Sequence, residues 1–247
     1  FFQASITFLS VLVSLFGTAD SHGYISSPRA RNYVAWEDGV WWGGDADEYA
    51  KDSCPHCLNR GGTAAQCGTT GGRNYDYPLS YTGDLMPADP QAQYDQGEVI
   101  NVDVLLTAHH KGHFVFKACP IQHGEVPTGD CFDDYPLEFV SDPLYGAPKD
   151  ANYPERAYIA PAGVASQGTV GLTGKVYSFN LKLPDNLSGD LVLLQWHYYT
   201  ANSCTFPGYD VYPFPASWGS MGDSLGLCGP LPADGNGVPE QFWNCAD

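Results

Sequence analysis

The chain has 247 residues, 43% of them apolar, with 28 Gly, 19 Pro and 16 Tyr. That suits one globular domain, or at most two, long enough to bury a core and too apolar to be disordered. Eleven basic residues against 28 acidic ones give a formal charge of −17, which repels phosphate backbones and anionic lipid surfaces, so nucleic acid and membrane are excluded as partners and a neutral partner is expected.

Residues 1–21, FFQASITFLSVLVSLFGTADS, read as a secretory signal peptide that lacks its own start, with no Met and no charged leading region. The apolar stretch from Ile6 to Phe16 is short for a membrane span, and Ala19-x-Ser21 is a small-x-small cleavage pattern. Cleavage after Ser21 makes 22–247 the mature, extracellular domain and His22 its first residue. The eight cysteines, Cys54, Cys57, Cys67, Cys119, Cys131, Cys204, Cys228 and Cys245, then imply disulfides.

"AWEDGVWWGGDADEY" is aromatic and acidic with little period, and the Gly- and Cys-rich stretch from Cys54 to Asp76 reads as a stapled loop region. The clearest strand is "EVINVDVLLTAHH", where Ile100, Val102, Val104, Leu106 and Ala108 occupy every second position. "HFVFKAC" follows the turn signal Lys111-Gly112 and is expected to pair back as a hairpin. "KVYSFNLKL" alternates again. Asn186-Leu187-Ser188 is a glycosylation sequon. "DLVLLQWHYYT" is the most buried-looking strand, and "GVPEQFWNCAD" is expected as a short last one. With no long periodic helix, internal repeat or interdomain linker, the fold class is all-β: an immunoglobulin/fibronectin-like β-sandwich with long disulfide-stapled loops. Cys119 with Cys131 and Cys204 with Cys228 enclose short loops after strands. The other four, Cys54, Cys57, Cys67 and Cys245, allow three pairings, and a bridge from Cys245 would help to pin Phe242 in place.

Seven histidines carry most of the chemical potential, and "HHKGH" is the densest group. Alone it is a polar strand end with exposed imidazoles. If the alternation runs on, His110 shares the face of Leu106 and Ala108, and His109 points the other way. Cys54-Pro55-His56-Cys57 with Cys67 lacks the second matched pair of a zinc site, and export favours bridges. No G-x-S-x-G is present to anchor a serine hydrolase, while a glycosidase carboxylate pair is invisible to sequence and stays open. Freed by cleavage, His22 offers an α-amine and an imidazole in one small chelate. A further imidazole completes a T-shaped set of three nitrogens, which suits Cu(II). The amine must lose its proton to bind, which its reference pKa of about 8 permits near neutrality.

Four segments in order, "HGYISSPRARN", "LTAHHKGHFVFKACP", "LLQWHYYTANSC" and "PEQFWNCAD", together resemble the lytic polysaccharide monooxygenases, nearest the arthropod and chitin-binding type-4 branches of the copper histidine-brace superfamily. The matches span His22 to the last residue; the acidic-aromatic insert and "CPHCLNRGG" match less clearly. The resemblance implies that His22 and His110 are the copper ligands. It sets Ala108 as the small residue flanking the copper axis and Phe242, five residues before Asp247, on the other axial side, apolar where some relatives carry Tyr. Trp196 resembles the family's buried Trp near the site; Gln195 and His197 are its neighbours in sequence, and alternation puts both on the face opposite Trp196, which leaves open which of them reaches the site. His109 is a neighbour, and His113 and His123 are surface residues. The implied protein is a secreted monomer that uses one copper ion, an external reductant and O2 or H2O2 to break glycosidic bonds in an insoluble polysaccharide, chitin first and cellulose second. Exposed aromatics such as Tyr24, Trp41 and Trp42 are candidates for stacking on sugar rings. The alternatives are a non-catalytic chitin- or cellulose-binding sandwich and a histidine-brace protein that handles copper.

Overall fold

Apolar residues at every second position along β4 (Val99–Leu106) drive Ile100, Val102, Val104 and Leu106 into one core, as the alternation predicts. The computed structural model describes residues 23–38, 62, 65–70, 73–80, 83–219, 221, 225–233, 235 and 237–247. The signal segment 1–21, His22, Trp41, Trp42, Cys54, His56 and Cys57 lie outside the described residues.

One antiparallel sheet runs β1 (Gly23–Ser27), β4, β9 (Leu172–Lys182) and β6 (Glu138–Ser141), with β8 (Gln167–Val170) folded on to β9. The second runs β11 (Gln241–Ala246), β10 (Val192–Tyr199), β5 (His113–Pro120) and β7 (Arg156–Tyr158). A two-stranded ladder of β2 (Thr69–Thr70) and β3 (Arg73–Asn74) and the short helices α1 (Arg31–Glu37) and α2 (Gly129–Asp134) lie outside these sheets. Between the sheets, the Phe114 ring meets Trp196, Tyr198, Tyr177 and Phe179 near-perpendicularly at 5.0 to 5.9 Å, the edge-to-face geometry that aromatic quadrupoles favour. The architecture is the expected all-β sandwich. No helix among the described residues is long and apolar enough to cross a membrane.

Three expectations change. β4 and β5 are not a hairpin: β4 pairs with β1 and β9, whereas β5 pairs with β10 and β7. The connection from 107 to 112 carries the chain from one sheet to the other, with Lys111 at φ 56 and Gly112 at φ 102, so the turn signal was real but marks a crossing. Tyr24 is fully buried rather than exposed, because α1 covers β1: its ring lies 4.6 Å from Tyr33 and its hydroxyl donates to the Val170 carbonyl. His113 is buried, its Nδ1 2.7 Å from the Tyr209 hydroxyl, and burial pushes its pKa well below 6.5.

Disulfides Cys119–Cys131 and Cys204–Cys228 form as the spacing suggests, and Cys67 pairs with Cys245 across 178 residues. The last ties Cys67, just before β2, to β11, the strand that carries Phe242. Asn186 is exposed in the connection from β9 to β10.

Candidate functional site

β4 ends at Leu106, so the pleat does not orient the histidines that follow; their backbone contacts do. His110 N–H donates to the Tyr198 hydroxyl (2.9 Å), and that hydroxyl donates on to the Lys111 carbonyl (2.6 Å). The His110 carbonyl accepts from Ala201 N–H (3.0 Å). The end of β10 and the residues after it thus hold the turn on both sides. Gly112 sits so close to this strand that a Cβ would lie 1.9 Å from the Tyr199 carbonyl oxygen. Gly112→Ala is therefore expected to cost at least about 1–3 kcal/mol, from the positive φ alone, read as a lowered thermal midpoint. Lys111→Gly, which relieves the neighbouring positive φ, should not lower it.

The three histidines of "HHKGH" differ in what their nitrogens do. His109 accepts from Lys111 N–H at Nδ1 (3.1 Å), so Nε2 carries the proton that meets the Ala160 carbonyl (3.0 Å). Both its nitrogens are engaged, and burial lowers its pKa to about 4. His113 faces Tyr209 inside the aromatic core. His110 is also buried, with Nδ1 3.1 Å from Glu240 Oε2. A carboxylate only accepts, so Nδ1 bears the proton and the lone pair stands on Nε2. Asn202 Nδ2 lies 3.1 Å from the same Nδ1; Nδ1 cannot donate to Glu240 and accept from this amide at once, and turning the amide by 180°, oxygen toward the ring, satisfies the Glu240 contact and this one together. Among the described residues, Nε2 has no hydrogen-bond partner. Glu240 is itself held, its carbonyl accepting from Thr200 N–H (3.2 Å) and Oγ1 (3.0 Å).

This donor fits a metal. An imidazole whose far nitrogen is hydrogen-bonded to a carboxylate is the usual arrangement of a metal-binding histidine. Among the described residues no three His, Cys, Asp or Glu side chains could hold a metal ion together, so a metal at His110 needs donors from outside them, where His22 lies.

The chain enters β1 at Gly23, opposite Leu106 in register, at the end of β4 from which the His110 turn departs. Its position is fixed from three sides. Asn244, fully buried on β11, donates to the Gly23 carbonyl (3.3 Å) and accepts from Ile25 N–H (3.1 Å). A Cβ on Gly23 would lie 2.4 Å from Leu106 and 3.4 Å from the Trp196 ring, so only glycine lets the strand seat there. Trp196 therefore does lie beside the start of β1. Phe242 is buried on the inner face of β11, two residues after Glu240 and paired with Tyr198. Ala108 is half-buried in the turn. Gln195 is not brought to this cluster: it lies on the outer face of β10, donating to the Gln66 carbonyl (2.7 Å).

Sequence reasoning missed Glu240, Asn202, Tyr198 and Asn244. The available signal was polar residues inside apolar strands, Asn244 in "QFWNCA" above all, since a buried amide there must find partners.

The family described as "Lytic polysaccharide mono-oxygenase, cellulose-degrading" matches residues 22–247. An AA13 family lytic polysaccharide monooxygenase A of Aspergillus terreus is 27% identical over 165 residues, 54% of this chain and 37% of that protein; the matched stretch is little more than a third of that relative's length. The solved AA15 lytic polysaccharide monooxygenase of Thermobia domestica in the Cu(I) state superposes with a TM-score of 0.51 and 25% identity, covering 92% of this chain and 97% of that one.

Proposed function

Because this chain belongs to the lytic polysaccharide mono-oxygenase family, we propose that it is a secreted, copper-dependent oxidoreductase that breaks glycosidic bonds in an insoluble, neutral polysaccharide. The observation that carries this reading is the Glu240–His110 contact, which leaves the Nε2 lone pair for a metal. His110 Nε2, with the α-amine and imidazole of His22, would hold one copper ion. The family match begins at His22, which supports removal of 1–21 as a signal and hence a free amine there.

Copper, when bound, supplies the redox chemistry by which an external reductant and O2 or H2O2 oxidise a C–H bond at the glycosidic carbon. The chain's own residues position and exclude. Tyr198 and Ala201 fix the His110 backbone, Glu240 fixes its tautomer, and Asn244 with Trp196 seats the residue that follows His22. Phe242 and Ala108 would lend the ion apolar surroundings. The word "cellulose-degrading" in the family description supports cellulose, and the likeness to the chitin-binding type-4 branch supports chitin. Monomeric state and glycosylation at the exposed Asn186 complete the proposal.

The test uses chain starting at His22 and chain with one extra residue before it. The first is expected to bind one Cu(II) with a tetragonal EPR signal and to release oxidised oligosaccharides from chitin or cellulose only with ascorbate. The second should lose both, because its His22 nitrogen is an amide. Sugars released equally with and without ascorbate would refute the oxidative reading. Copper binding without any oxidised product would leave a copper-handling protein instead.

A further inference from the structure

Successive residues of a strand face opposite ways, so Gln195 and His197 point away from the His110 side of β10, where Tyr198 sits. They line an open cavity of about 230 Å³ on the outer face of the second sheet, between α2 and the loop at Leu231–Ala233. This is smaller than the roughly 300–1,000 Å³ of drug-sized sites and has room for one substituted six-membered ring.

Its polar groups are unusual in what they leave over. Gln195 is 2% exposed, and its Nε2 donates to the Gln66 carbonyl (2.7 Å). Its Oε1 has no partner among the described residues. His197 is 7% exposed, with Nε2 3.0 Å from Gln241 Oε1. The Gln241 amide nitrogen donates to the Pro232 carbonyl (3.0 Å), so its oxygen is the acceptor and His197 Nε2 carries the proton. The lone pair is then on His197 Nδ1, which also has no partner among the described residues. Burial first, and the Lys117 charge second, push the His197 pKa well below 6.5, so the ring stays neutral. Two acceptors thus stand two residues apart on one strand face, about 7 Å between their Cα positions, both on side chains that line the cavity. Neither atom is among the side-chain groups sealed from water, so a ligand hydroxyl entering the cavity can donate to each in place of solvent. Trp243, stacked on His197 at 4.3 Å, and Phe132 supply apolar wall, and the Lys117–Asp133 ion pair adds one donor and one acceptor.

We propose that this cavity is a binding site for a small ring bearing more than one hydroxyl group, a sugar residue or a diphenol, which donates to Gln195 Oε1 and His197 Nδ1 against the Trp243 wall. The site stands on the opposite face of β10 from Tyr198 and does not rest on metal binding at His110.

The full chain is titrated with methyl β-glucoside, N-acetylglucosamine and catechol, with EDTA present so that catechol is not oxidised. Calorimetry follows binding, and ¹⁵N resonances follow the His197 ring. Saturation at one ligand per chain, with a shift at His197 Nδ1, is expected for at least one probe. Response to sugars alone assigns a sugar residue, to catechol alone a diphenol, and to all three their shared hydroxyl chemistry. Gln195→Leu should weaken binding about tenfold, the scale of one lost hydrogen bond. Ala233→Trp, on the exposed rim, should abolish binding by filling the cavity without touching the core, whether or not the Gln195 variant folds. No saturation by any probe, an unmoved His197 signal, or binding unchanged in Ala233→Trp overturns the proposal.

Discussion

Replacing His110 by alanine is expected to lower Cu(II) affinity by more than about 100-fold, above the 10–100-fold typical of residues that only support a ligand. The expectation follows from the differing duties of the three neighbouring histidines. His109 has both ring nitrogens engaged, with Lys111 and Ala160, and His113 is enclosed by Tyr158, Tyr199, Phe206 and Tyr209. Only His110 pairs a carboxylate at one nitrogen with a lone pair at the other. A series of variants separates ligand from support. Glu240→Leu should cost about 10–100-fold, because the imidazole loses its orientation and its tautomer becomes free to change. Glu240→Gln keeps an acceptor opposite Nδ1 and should cost much less. His109→Ala should leave copper affinity within a few-fold of the parent. Copper titration followed by EPR reads all four, and full affinity in His110→Ala would remove the ligand assignment.

The sandwich was legible because β4 and β9 set one face to the core and the other largely to polar neighbours, so Val102, Val104 and Phe179 alternate with Asp103, Ser178 and Asn180. Where a strand is covered on both sides the alternation disappears. β1 reads GYISS and is buried at four of its five positions, because α1 lies over Tyr24; it was not recognised as a strand. β5 is buried on both faces too, which hid His113. The pairing of β4 and β5 was misread because a Lys-Gly turn looks the same whether the chain returns along its own sheet or crosses to the other. Composition says nothing of the partner strand; register does. For the site, motif order led to His110, but the groups that contact its ring and fix its backbone, Glu240, Asn202 and Tyr198, lie 88 to 130 positions away in the chain. Such long-range pairing has no local signature. For Gln195 the alternation already pointed to the face opposite Trp196, and the structure keeps it there, bonded to Gln66 and away from His110.

Asp247→Ala is expected to destabilise the fold by about 3–5 kcal/mol, the cost of breaking a buried ion pair from one side. Arg31 Nε donates to Asp247 Oδ1 at 2.5 Å, and the two side chains are 6% and 3% exposed. The same guanidinium donates to the Tyr75 carbonyl (2.6 Å), and the Asp247 carbonyl accepts from Gln91 N–H (2.9 Å). The pair therefore joins α1, the segment after β3 and the end of β11. Without the carboxylate, the buried cation loses its direct ion pair and keeps the Tyr75 and Asp76 carbonyls and the attraction of the Asp76 carboxylate. At roughly 2–4 °C per kcal/mol for a domain of this size, the thermal midpoint should fall by about 6–20 °C. The double variant Arg31→Met with Asp247→Leu should recover part of the loss, since replacing both charges by packed apolar groups removes the uncompensated cation. A structural role and a metal-site role make different demands on this variant. Glu240 is seven residues away and is held separately by Thr200, so below its lowered midpoint Asp247→Ala should keep nearly the parent's copper affinity. A large loss of copper affinity at unchanged midpoint would mean instead that the tail acts on the His110 end of β11 and not on the fold.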